Sequence, residues 1–126
     1  MRQPSIRIKR VYEPPAPNDG FRVLVDRLWP RGVKKETAAI DLWAREAAPS
    51  AELRRWFAHR TERWVEFQER YRRELQASPE HWLFLLEQAR RGPITLLFAA
   101  RDPDHNNAVV LRDFLLEQLE NAAGND

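Results

Sequence analysis

The spacing of apolar positions changes along this chain, and each spacing predicts an element. Residues 6–11 (Ile6-Arg7-Ile8-Lys9-Arg10-Val11) alternate apolar and basic, which predicts a strand with one polar face. Pro14-Pro15-Ala16-Pro17-Asn18-Asp19-Gly20 is incompatible with regular structure and predicts a loop closed by an Asp-Gly turn. Phe21-Arg22-Val23-Leu24-Val25 is rich in β-formers and predicts a second strand. Residues 36–48 follow neither the helical nor the strand period, and Ile40, Leu42 and Trp43 are expected to be buried there. Ser50 after Pro49 predicts the cap of a helix that buries Leu53, Trp56 and Phe57. Trp64, Phe67, Tyr71 and Leu75 recur on one face and predict a helix over residues 62–76. Ser78 followed by Pro79 reads as a cap and first helical position. The helix they open is expected to run to about Arg91, burying Trp82, Leu85, Leu86 and Ala89, and to stop at Gly92.

Residues 94–100 (Ile94-Thr95-Leu96-Leu97-Phe98-Ala99-Ala100) are apolar throughout and too short for a globular helix. They read as a strand buried on both faces, which calls for a parallel sheet covered by helices. Polarity then switches at Arg101, Asp102, Asp104, His105, Asn106 and Asn107, before Ala108, Leu111, Leu115 and Leu119 mark one face of a last helix. Asp104 or Asn106 is expected to cap that helix, and the tail over residues 121–126 is expected to fray. The order strand, strand, three helices, strand, helix predicts a small single α/β domain over residues 1–126, with a mainly parallel sheet flanked by helices.

Bulk composition narrows the chemistry. A length of 126 residues suits one core. With no cysteine, disulfides, thiolate metal sites and cysteine nucleophiles are excluded. No apolar run approaches the ~20 residues of a membrane span, and Met1-Arg2-Gln3-Pro4-Ser5 lacks the apolar core of a signal peptide. The expectation is a cytoplasmic protein without a membrane partner. Residues 1–35 hold nine Lys/Arg against three Asp/Glu, which would suit an anionic ligand. Only three of the 21 basic residues are lysine, so part of this excess is a compositional bias toward arginine.

Two strands end in charged clusters, Asp26-Arg27-Leu28-Trp29-Pro30-Arg31 and the residues from Arg101 onward. In open α/β sheets ligands bind at the C-terminal ends of the strands. If these strands are parallel neighbours, Arg27, Arg31 and Arg101 could hold an anion at the N-terminus of the last helix, with Asn106 hydrogen-bonding the ligand. Asp26 and Asp102 would orient the arginines or act as bases, and His105 would transfer a proton if there is chemistry. The plainer reading is that Asp26 pairs with Arg101, or Arg27 with Asp102, to brace the loops. Trp29 either stacks on a ring or anchors a lid on the core, whereas Trp43, Trp56, Trp64 and Trp82 look like core. Asp102, Asp104 and His105 match no strong metal spacing, and no motif names a cofactor. His59 and His81 read as surface or boundary groups. Ser50 and Ser78 serve as caps, and no nucleophile elbow, Walker loop or dinucleotide fingerprint is present. The second functional reading is a nucleic-acid-binding module built on the basic N-terminal third and Trp29. The third is an interaction domain whose clusters only brace loops. Oligomeric state is not legible.

The run Val25-Asp26-Arg27-Leu28-Trp29-Pro30-Arg31-Gly32, then Ala48-Pro49-Ser50 with Leu53-Arg54 and Trp56-Phe57, then Phe67 and Tyr71, then Thr95-Leu96-Leu97-Phe98-Ala99-Ala100-Arg101-Asp102 and His105-Asn106-Asn107-Ala108, resembles the bacterial YeaO-like family, domain of unknown function 488. The resemblance covers nearly the whole chain. It implies a small cytoplasmic α/β domain and brings no activity or residue role with it.

Overall fold

A computed structural model of the chain describes residues 5–124; the readings made for Met1–Pro4 and for Asn125 and Asp126 lie outside it. The strands are β1 (Ile6–Arg10), β2 (Phe21–Leu24), β3 (Leu42–Trp43) and β4 (Ile94–Phe98), and the helices are α1 (Lys35–Ala38), α2 (Ala51–Phe57), α3 (Trp64–Ala77), α4 (Leu83–Arg91) and α5 (Asn107–Gly124). The strands form one sheet in the order β1-β4-β2-β3, and every pairing is parallel. The last strand in sequence therefore lies inside the sheet. β4 pairs with β1 from Ile94 opposite Ile6 to Phe98 opposite Arg10, and with β2 from Ile94 opposite Phe21 to Leu97 opposite Leu24. All five of its residues are buried, which accounts for its unbroken apolar run.

Alternate side chains of the sheet enter two cores. Val23, Val25, Ile94, Leu96 and Phe98 join the larger one with residues of α2, α3, α4 and α5. Leu24 and Leu97 join the smaller one with Val11, Ala38 and Ile40, closed by Trp29 and Trp43. The ambiguous stretch thus resolves into α1, the two-residue edge strand β3 and a 3-10 turn over Arg45–Ala47. Ile40 is buried as expected, but Leu42 and Trp43 are only half-buried because their strand has a neighbour on one side alone. Trp56 and Trp64 are likewise half-buried; of the four expected core tryptophans only Trp82 is fully enclosed.

The helix signals held at different strengths. Ser50 caps α2, its hydroxyl accepting the Leu53 N–H at 3.1 Å. Ser78 makes no side-chain cap bond; Pro79–His81 forms a 3-10 turn and α4 starts only at Leu83. Trp82 decides this, because its buried indole N–H donates to the Leu75 carbonyl at 2.7 Å and pins the turn to the end of α3. Asn106 caps α5 through the Val109 N–H at 3.2 Å, in place of Asp104. Residues 121–124 continue α5 where fraying was expected, consistent with the helix preference of Ala122 and Ala123.

A buried polar pin ties the N-terminal loop beneath the sheet. Asp19 and Arg22 are each 4% exposed and form an ion pair. Lys9 reaches the same carboxylate at 3.2 Å, and Arg22 also donates to the Ala38 carbonyl at 2.8 Å. Burial pushes the Asp19 carboxyl upward, but the Ala16 amide and the Lys9 and Arg22 cations outweigh it and hold the group below its ordinary value. Gly20 follows at φ +69°, where a Cβ would lie 2.0 Å from the Pro93 carbonyl oxygen. Only glycine allows this approach, and the adjacent Phe21 N–H bonds that same oxygen at 3.0 Å.

Candidate functional site

Parallel strands bring all their C-terminal ends to one edge, and a cavity of about 960 Å³ opens there. Its floor is Ala99 to Asp102, which follow β4, between Asp26 and Arg27 beyond β2 and Arg10 at the end of β1. The residues just before α5 and its first turn, His105, Asn106 and Asn107, form one wall. Pro49, Arg54, Phe57 and His59, with Phe67 of α3, form the other. Tyr12, Leu28, Trp29 and Pro30 complete the lining.

The two carboxylates are held by backbone amides and by the side chains of Asn107 and His105, not by the arginines. One Asp26 oxygen accepts the Ala99 N–H at 2.9 Å and the other accepts the Asn107 side-chain amide at 3.2 Å. Asn107 also bonds the Val25 carbonyl at 2.8 Å, so Asp26 and Asn107 clasp β2, β4 and α5 together. Desolvation raises the Asp26 carboxyl above its ordinary value; the bonds from Asn107 and Ala99 and the charges of His59 and Arg54 oppose it without cancelling it. Asp102 accepts the N–H groups of Asp104 at 2.9 Å and His105 at 3.1 Å, and its second oxygen lies 2.9 Å from His105 Nδ1. Those bonds, led by the Asp104 amide, hold Asp102 below the usual carboxylate value. An ionised carboxylate can only accept, so His105 carries its proton on Nδ1. The ring stands edge-on to Trp64 at 5.2 Å, two residues before α5 begins.

Among the described residues neither anticipated ion pair forms: Asp26 does not pair with Arg101, nor Arg27 with Asp102. Arg27 uses Nε on the Pro49 carbonyl at 2.9 Å. Arg10 bonds the carbonyls of Ala99 and Ala100 at 3.3 and 3.2 Å and stacks on Tyr12 at 4.8 Å. Arg54 and Arg101 are exposed and, among the described residues, no carboxylate pairs with either. Trp29 is anchored on the core: its indole donates to the Val33 carbonyl at 2.8 Å and its ring meets Trp43 at 5.3 Å, edge to face.

Seven of the eight anticipated site residues thus meet in one cavity: Asp26, Arg27, Trp29, Arg101, Asp102, His105 and Asn106. Arg31 does not line it; its carbonyl accepts the Tyr12 hydroxyl at 2.9 Å instead. Sequence reasoning missed Arg10, Tyr12, Arg54 and Asn107 as lining residues, and read His59 only as a surface or boundary group. The left-handed pair Ala58 (φ 46°) and His59 (φ 57°) ends α2 and places His59 on the wall. No glycine announced that turn.

Residues 5–126 match the family described as "Inactive DUF488-N3 subclade". The chain belongs to the DUF488 family. It is similar to uncharacterized protein YeaO of Escherichia coli (strain K12), 43% identical over 111 residues that cover 88% of this chain and 96% of that one. It is also similar to uncharacterized protein Mb3100c of Mycobacterium bovis, 40% identical over 115 residues, 91% of this chain and 97% of that one. No solved structure matches. No helix among the described residues of this DUF488 chain is long and apolar enough to cross a membrane, and among them no group of three or more His, Asp or Glu is placed to hold a metal ion.

Proposed function

We propose that the cavity binds a phosphate-bearing small anion and acts as a binding site, with Arg27, Arg54 and Arg101 as the groups that hold the charge. The observation that carries this reading is the imbalance of the lining. Four arginines (Arg10, Arg27, Arg54, Arg101) face two aspartates, and both aspartates already accept hydrogen bonds from the chain itself. Guanidinium groups with open N–H positions at a strand edge are good anion ligands, above all where a helix starts beside them. Binding is favoured over catalysis because Asp26 and Asp102 have structural partners, and no serine, threonine or lysine lines the cavity. The subclade's description as inactive supports the same choice.

The nucleic-acid reading has less to stand on. Part of the basic excess of residues 1–35 is used internally: Arg22 is buried on Asp19, Lys9 pairs with Asp19, and Arg10 bonds two carbonyls. A thermal-shift titration of the whole chain with inorganic phosphate and ribose 5-phosphate tests the proposal. Ligand at 100-fold over its Kd should stabilise the fold by about 2.7 kcal/mol. The shift should vanish in Arg54→Ala and Arg101→Ala, exposed positions where the change should alter unliganded stability by no more than about 0.5 kcal/mol. No shift with either probe overturns the proposal. A shift with oligonucleotides alone, falling steeply with salt, would move the function to nucleic-acid binding.

A further inference from the structure

We infer that the ligand of this cavity carries a planar heteroaromatic ring as well as its anion, in the manner of a nucleoside monophosphate; this rests on the anion-binding reading above. The lining divides by chemistry. The guanidinium groups of Arg27, Arg54 and Arg101 can meet a phosphate, but part of the remaining wall is apolar surface, with Tyr12 and Leu28 exposed on it and Trp29 half-buried. A bare phosphate or a sugar phosphate would leave that wall against water. A ring would cover it.

The rim adds an independent observation. Five large apolar side chains are exposed among the described residues, and two of them, Tyr12 at 47% and Leu28 at 55%, line this one cavity. They rise from the ends of β1 and β2, the strands on either side of β4, so they flank the floor at Ala99 to Arg101. Tyr12 is positioned rather than loose: its hydroxyl is tied to the Arg31 carbonyl, and Arg10 lies against its ring. An aromatic face held in place beside an exposed leucine is a stacking platform for a base. The volume of about 960 Å³ is ample for a nucleotide.

The test is calorimetric titration of the full chain with four probes: inorganic phosphate, ribose 5-phosphate, adenosine and adenosine 5′-monophosphate. The monophosphate should bind at least about tenfold tighter than ribose 5-phosphate, the low-to-middle range of a base–aromatic stack. Leu28→Ala and Tyr12→Ala should each reduce that gain severalfold. Leu28→Ala makes the cleaner test because the side chain is exposed, and it should leave ribose 5-phosphate binding unchanged. Equal affinity for the two phosphates, or a ring gain untouched in both variants, overturns the inference while leaving the anion site intact. If neither inorganic phosphate nor either phosphate ester binds, the anion reading falls with it.

Discussion

The side-chain amide of Asn107, the first residue of α5, donates to the Val25 carbonyl at 2.8 Å and to the Asp26 carboxylate at 3.2 Å. One residue thereby joins the start of the last helix to the end of β2, and Asp26 passes the connection to β4 through the Ala99 amide. The cavity floor depends on this clasp, since Asp26, Ala99 and Asn107 all line it.

Asn107→Ala should therefore cost about 1–3 kcal/mol, the penalty of leaving half-buried acceptors without a donor. Urea denaturation measures it. The same change removes one of the groups that lower the Asp26 carboxyl, so that titration should move further upward by NMR.

Asp26 should make stability fall as pH rises. Its folded pKa lies above the unfolded value, so the folded chain binds the proton more tightly. The favourable contribution is complete below the unfolded value of about 3.9 and is lost as pH climbs through the raised folded value. Asp26→Asn removes the titration. The stability of the variant relative to wild type should improve across that window, as read from denaturation at a series of pH values.

Asp19 should show the opposite sign. Its folded pKa is depressed, so its stabilisation is present above the unfolded value and is lost as pH falls through the folded one. Asp19→Ala leaves Arg22 buried without its carboxylate and should cost about 3 kcal/mol at neutral pH. That difference should shrink on acidification below about pH 4, where wild type begins to lose the same pair.

Gly20→Ala should destabilise the chain by about 1–3 kcal/mol or more, because the positive φ and the crowding of the Pro93 carbonyl act together. Gly32→Ala is the control. It shares a positive φ of +77° but meets nothing within 4 Å, so it should cost less. Thermal and urea unfolding of the two variants separate the clash from the backbone preference.

The candidate site was legible where chemistry coincides with a change of element. Asp26, Arg27 and Trp29 follow an apolar strand directly, and Arg101 to Asn106 stand between β4 and α5, so polarity alone marked them. Arg54 and His59 could not be found that way. They belong to a segment rich in Glu and Arg, and they face the cavity only because α2 packs back beside the strand ends. Nothing in the local pattern marked Tyr12; its place on the rim is fixed by the bond from its hydroxyl to the Arg31 carbonyl. The two-residue β3 was too short for any period to register, and it exists because Asp41 and Ala44 bond the backbone of β2 at 2.9 and 2.8 Å.

Local rules in the sequence determined the class of fold, three of the four strands, the start of α2 and the residues at two strand ends. Each rests on neighbours in the chain: alternation, helical spacing, a cap three residues ahead, a turn that only glycine tolerates. The order of the sheet, the insertion of β4 between β1 and β2, and the meeting of Arg54, Tyr12 and Asn107 around one cavity were decided by tertiary structure alone. Those contacts join residues tens of positions apart, and what selects them is the burial of both faces of β4 and the pairing of its backbone on both edges.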